Sequence, residues 1–408
     1  MDLIVRNARI ATTPDAPPID IGIQAGKITV LAPNLTAEGP EYDAAGLLVC
    51  AGLVETHIHL DKSRIIDRVA PEPGRVPRSM ERVAAVKHSF TQEDVYRRAA
   101  ATLEACIAHG TTRMRTHVEL DAGVEMRSFE ALEQLRRDYA WAIDVELCVF
   151  PQEGLTDNPR SDQLIVEALK RGARVVGAAP NYDPDRHAHV QRIFDLAREY
   201  DVDIDMHLDS GNAPVDMDIW QVCDLAEKYR LGGRVAVGHG CKYSTMPVAD
   251  QRGLARRMAD AGVALTVLPA TDLYLMGRDR THAKLRSVLP VHELLAHGVN
   301  GNLSSNNILN PFTPFGDCSL LRMANLYANI CHVGRRDEIR ECFEMVTRRS
   351  AKLLRRDDYG VDIGRAADLV VIDTTAPEHA VAELPPVLMG FKRGRMTFSR
   401  QPVTLHRP

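Results

Sequence analysis

From Met1 to about Cys50 the chain alternates apolar and polar positions in short runs, Leu3–Val5, Ala8–Ile10, Ile21–Ile23, Lys27–Val30 and Gly46–Val49, with Pro, Gly and Asp between them. Alternation of period two with that punctuation predicts β-strands without helices. The C-terminal end repeats the style in Ala367–Ile372, Val387–Met389 and Arg395–Phe398. Between the two ends, apolar runs alternate with amphipathic helix patterns: Arg113–Val118, Ala142–Phe150, Val175–Ala179, Val202–His207, Arg234–His239 and Ala264–Leu268. Repeated β/α alternation over this length predicts a parallel (β/α)8 TIM-like barrel. The β-rich ends predict one small β-sandwich formed from both chain termini. The expected division is residues 1–50 and 356–408 for the sandwich and residues 51–355 for the barrel. At 408 residues the chain is longer than one core usually organises, which agrees with two units.

One helix shows the logic. Thr91 is a suitable N-cap with Asp94 three residues on, and Val95, Ala99, Leu103, Cys106 and Ile107 share a face until Gly110 ends it. The stretch from Ser63 to Ser89 follows the first barrel strand and holds Pro71, Pro73, Gly74 and Pro77. A long βα loop there is expected to cover the active-site mouth.

Charge changes little in this picture. Fifty Lys and Arg stand against 55 Asp and Glu, a formal charge of −5, with the signs interspersed. A small-molecule partner is expected, and nucleic acid or an anionic membrane surface is not. The eight cysteines are scattered without a C-x-x-C pair, as expected of reduced, mostly buried thiols. The N-terminus lacks the basic start and apolar core of a signal peptide, and no apolar run approaches a membrane span of about 20 residues. A cytoplasmic location and a homo-oligomeric state are the expectations.

The strongest chemical signal is Val54-Glu55-Thr56-His57-Ile58-His59-Leu60-Asp61. Alternate residues of a strand project from one face, so His57 and His59 can chelate one metal ion. His-x-His also arises by chance, and such a pair is often only a hydrogen-bonded neighbour. Further histidines fall at the ends of later strand-like runs: His117, His207 and His239. Strand C-termini of a barrel meet at one mouth, so these separate positions form one cluster. His282, His297 and His332 have no such placement.

End to end, the chain resembles the cytosine deaminase branch of the amidohydrolase superfamily, including its N-isopropylammelide amidohydrolase members. The matching stretches are VETHIHLDK at 54–62, RTHVELD at 115–121, FPQEG at 150–154, AREYDVDIDMHLD at 197–209 and YGVDIGRAADLVVI at 359–372. The resemblance implies that His57, His59 and His207 are metal ligands, that His239 lies beside the bound water or the leaving group, and that Gln152 hydrogen-bonds a ring amide or carbonyl. It implies one divalent metal ion, Zn or Fe, which lowers the pKa of a bound water and supplies hydroxide for hydrolysis of a C–N bond in a small N-heterocycle or cyclic amide or amidine. A nearby acid must then protonate the leaving nitrogen.

Two positions depart from that pattern. Where the family carries an aspartate at the end of strand eight, counting back from Pro311-Phe312-Thr313-Pro314-Phe315-Gly316 gives Asn306. It can still ligate the metal through its side-chain oxygen, but it brings no charge and accepts no proton. Three residues after His207, where cytosine deaminases place a glutamate, stands Ser210, and Asp209 is the available acid if the strand geometry persists that far. Lys62 is a candidate for a substrate carboxylate or oxyanion, and a solvated lysine is the alternative. His117, Asn307 and Tyr274, with Arg278, are further substrate-contact candidates. The competing reading from another class is a catalytically impaired binding or regulatory protein on the same scaffold.

Overall fold

A computed structural model describes residues 1–69, 76–401 and 403–406. Strands β1 (Leu3–Ile10), β2 (Ile19–Gln24), β3 (Lys27–Ala32), β4 (Glu41–Asp43) and β5 (Leu48–Ala51) open the chain. The barrel strands follow: β6 (Leu53–Ile58), β7 (Thr111–Glu119), β8 (Asp144–Phe150), β9 (Val175–Val176), β10 (Asp203–Leu208), β11 (Val235–His239), β12 (Val263–Val267) and β13 (Gly301–Leu303). They pair in parallel in strict chain order from β6 to β13. A parallel bridge between Ile58 and Asn306 closes the ring.

After the barrel, β14 (Leu369–Ile372), β15 (Val387–Lys392) and β16 (Arg395–Ser399) return to the N-terminal strands. The order is β16-β15-β14-β5-β1-β2-β3, with β4 on β1. Inward residues from both chain ends, among them Val5, Ile21, Ile28, Leu369, Val371 and Phe391, share a core separate from that of the barrel. The alternation seen in the sequence thus becomes the two faces of this small terminal unit. β4 and a helix at Pro377–Glu383 are too short to carry a periodic signal.

The helix expected after Thr91 spans Gln92–Ala108, and the Thr91 hydroxyl accepts from the Asp94 amide at 3.1 Å. Its five apolar face residues are all buried, and Gly110 follows at φ +89, a value natural to glycine. The Ser63–Ser89 segment contains a helix, Val76–Lys87, rather than loop alone. Of the four residues behind the loop reading, Pro71, Pro73 and Gly74 lie outside the described residues, and Pro77 falls within the helix. Val83 packs with Leu275, Met276 and Phe312, which line the cavity described below. All eight cysteines are free, and all but Cys331 are buried. Among the described residues no helix is long and apolar enough to cross a membrane.

A buried polar knot joins the terminal unit to the base of the barrel. Lys392 donates to Asp368 at 2.8 Å, to Asp144 at 2.7 Å and to the Thr112 carbonyl at 3.2 Å. Arg113 of β7 reaches the same Asp368 oxygen at 3.1 Å. Removing one partner of such a cluster leaves a buried charge undercompensated. Lys392→Met is therefore expected to destabilise the protein by about 3 kcal/mol, read as a lower denaturation midpoint; an unchanged midpoint would show that Arg113 alone balances Asp368.

Candidate metal centre and active site

Parallel strands in a closed barrel bring their C-terminal ends to one mouth, and five histidines meet there. The Nε2 atoms of His57 and His207 lie 3.1 Å apart, and those of His59 and His207 3.0 Å apart. The ligand atoms of His57, His207 and His239 all fall within 4.8 Å of one another. The backbone fixes this convergence on the strand-eight side. The Asn306 amide donates to the His57 carbonyl, and the His59 amide to the Asn306 carbonyl, both at 2.9 Å. On the strand-six side β11 passes close behind the His57 ring at Gly238. A Cβ there would stand 2.9 Å from His57 Cε1, so the glycine makes room for the ring.

The electrostatics match a cation. Burial, then the neighbouring imidazoles, pushes His57 down to about 3. His59 and His207 are held well below the usual range, first by burial and then by nearby positive charge. All three are neutral at physiological pH and offer lone pairs. Ligand nitrogens around one ion at usual Zn–N distances stand about 3.3 Å apart, close to the spacing seen here. The Nδ1 atoms of all three rings, and both polar atoms of the Asn306 side chain, are buried without hydrogen-bond partners. These residues therefore fit a divalent ion, with the Asn306 oxygen available as a fourth, uncharged donor.

Behind the rings stands Asp205, on the same face of β10 as His207. Its carboxylate lies 3.7 Å from His57 Nδ1 and 3.6 Å from His117 Nε2, and Arg115 donates to it at 2.9 Å. Burial alone would raise its pKa, but His117 and Arg115 hold it well below the usual range. His117 stacks on His57 with ring centroids 3.8 Å apart and is fully buried. It lies behind the ligands and does not line the cavity, which corrects its expected place among substrate contacts.

A cavity of about 40 Å³ opens over the cluster, lined by His59, Lys62, Gln152, His207, His239 and Asn307 among others. Lys62 is 1 % exposed, which excludes the solvated alternative. Its ammonium donates to Glu119 at 2.5 Å and to Gln152 Oε1 at 2.9 Å, and Glu119 is held in turn by Lys87 at 3.3 Å. Because an ammonium only donates, the Gln152 oxygen must face Lys62, leaving the amide NH2 for the cavity.

The structure corrects the expectation for Asp209. The strand ends at Leu208 and Asp209 turns to φ +52, so its side chain leaves the His207 face. Its oxygens accept from the amides of Asp218 at 2.9 Å and Ile219 at 3.1 Å, where the helix Ile219–Lys228 begins, and from the Tyr243 hydroxyl at 2.7 Å. That is a buried capping job, and Ser210 lines the cavity instead. The carboxylate that does line it is Asp272, which sequence reasoning missed. Asp272 Oδ1 is 2.6 Å from His239 Nδ1. A carboxylate acceptor there places the proton on Nδ1 and leaves the Nε2 lone pair free. His239 itself adopts φ +76, an uncommon conformation for a non-glycine residue that gathers at functional sites.

Tyr274 lines a second cavity of about 530 Å³ beside the first, and Met276 and Asn307 belong to both walls. Arg278 lies over the Tyr274 ring at 4.6 Å. His282, His297 and His332 line neither cavity.

The model of the amidohydrolase family matches residues 80–398. The chain is 28% identical over 418 residues to the N-isopropylammelide isopropyl amidohydrolase of Pseudomonas sp., covering 97% of this chain and 96% of that one. It is 27% identical over 360 residues to the pterin deaminase of Rhizobium rhizogenes, covering 86% and 81%. Among solved structures, 5-methylcytosine deaminase from Klebsiella pneumoniae liganded with 5-fluorocytosine superposes with a TM-score of 0.94 at 28% identity, over 99% of each chain.

Protein purified without chelator is expected to carry about one equivalent of Zn, Fe or Mn by elemental analysis. His207→Ala should retain less than about a tenth of that. Asn306→Asp, which adds a charge at the fourth donor, should slow metal loss to a chelator. Wild-type protein that stays empty after metal is added would refute the site.

Proposed function

This chain belongs to the amidohydrolase family, and from that membership we propose that it hydrolyses a C–N bond in a small N-heterocycle, as a deaminase or amidohydrolase, with one divalent metal held by His57, His59 and His207 and the Asn306 oxygen. The observation that carries this reading is the approach of the neutral His57 and His59 Nε2 atoms to the His207 Nε2 atom, at 3.1 and 3.0 Å. When bound, a divalent ion supplies Lewis acidity, which makes water a nucleophile near neutral pH.

The chain's own side chains do the rest. Gln152 presents its amide NH2 to a ring carbonyl or ring nitrogen, and Lys62 faces a carboxylate or oxyanion of the substrate. His239, held by Asp272 with its Nε2 unprotonated, takes the proton of the attacking water and returns it to the leaving nitrogen. This role falls to the His239–Asp272 pair because Asn306 accepts no proton and Asp209 is committed to its helix. The alternative of an impaired binding scaffold finds no support: the relatives described above carry the names of hydrolases or deaminases.

The test is release of ammonia or amine by the metal-loaded protein from 5-methylcytosine, pterin, N-isopropylammelide and related N-heterocycles; no release from any of them would reject the reading. Asp272→Asn should lower kcat by about two to four orders of magnitude. Asp209→Asn should leave kcat within about tenfold and instead cost about 1 kcal/mol of stability through the lost cap. The reverse pattern, with both variants folded, would return the acid to Asp209.

A further inference from the structure

The cavity above the histidines is small, about 40 Å³, while its neighbour across Met276 and Asn307 reaches about 530 Å³, the size of a small-molecule binding site. Leu273, Met276, Ile308, Met323 and Leu326 give the larger cavity an apolar wall. Three cations, Arg278, Lys284 and Arg322, also line it, and no acidic side chain does. Arg322 is engaged by Asp317 at 2.7 Å. Arg278 rests on the Tyr274 ring, and among the described residues neither it nor Lys284 forms an ion pair. An apolar cavity bordered by two cations without ion-pair partners, Arg278 and Lys284, selects for a chain that is greasy along its length and negative at its end.

Resting on the hydrolase reading, we infer that the substrate is a heterocycle whose exocyclic nitrogen carries an apolar arm ending in a carboxylate or similar anion. The ring occupies the small cavity, the arm lies along the larger one, and Lys284 and Arg278 bind its end. Hydrolysis breaks the bond between ring carbon and exocyclic nitrogen. The oxygen of water goes to the carbon, and its two hydrogens end on the ring nitrogen and on the departing amine, which leaves with the arm.

The test compares three forms of each ring, 5-methylcytosine, pterin and ammelide: unsubstituted, N-hexyl and N-(5-carboxypentyl) at the exocyclic nitrogen. In at least one series the carboxypentyl compound should exceed both others in kcat/KM by about tenfold or more, the scale of one charge-assisted contact. Lys284→Ala should remove most of that advantage while leaving kcat/KM for the unsubstituted ring unchanged, and Leu326→Trp, which fills the larger cavity, should weaken both armed compounds. Hydrolysis of unsubstituted rings with no gain from the acid arm would overturn the inference and leave the hydrolase reading intact. No hydrolysis of any compound by the metal-loaded protein would overturn both.

Discussion

Two neutral imidazoles, His57 and His59, each bringing Nε2 within 3.1 Å of a third at His207, are an arrangement that side chains do not adopt by themselves. Each ring was better solvated in water, and each has surrendered that solvation without gaining a partner at Nδ1. The barrel imposes it. His57 lies on β6, His59 one residue past its end, and His207 on β10, four strands on, so the approach depends on the ring being closed. Closure rests on the two hydrogen bonds that place Asn306 between His57 and His59. A cation bound to the Nε2 lone pairs would offset part of the cost of burying the three rings, and folding and metal affinity would be coupled in that sense.

Around this centre two groups of buried charges stand behind the cavity. On one side Arg115 and Asp205 sit behind His57 and His117. On the other, Lys62, Glu119, Lys87 and Asp121 form a buried chain running away from the cavity. Buried pairs of this kind add little net stability compared with a well-packed apolar replacement. Their value here is positional: Lys62 has four carbons of freedom, and Glu119 and Gln152 reduce it to one place over the cavity.

The alternation of strands and helices made the barrel legible, because period-two and helical patterns both survive in long elements. β9, with two residues, is located by its place in that alternation. The histidines were legible because all but His59, one residue past its strand, lie within barrel strands near their C-terminal ends. Asp205 and Glu119 were within reach of the same rule, each two residues from a histidine on its own strand. Asp272 was not, since it lies on the short helix Pro269–Leu275 after β12, where no period ties it to the mouth. Asp209 failed for a local reason: extrapolating the strand by one residue assumed an extended backbone, and φ +52 sends the side chain the other way.

That turn and the neutral Asn306 have a joint consequence. With the strand-eight acid absent and Asp209 committed to a helix, no carboxylate is in direct contact with the three ligand nitrogens among the described residues. The negative charge stands one layer back, Asp205 behind His57 and Asp272 behind His239. A dication placed there is compensated through imidazoles rather than by a carboxylate ligand, and is less neutralised as a Lewis acid for it. In the proposed reading the same separation divides the labour: Asp205 places negative charge 3.7 Å behind His57, while Asp272 fixes the tautomer of the histidine that carries the proton. A site without a charged ligand can on this reading still hold an acid–base pair, because the pair is built elsewhere, from β11 and the helix that follows β12.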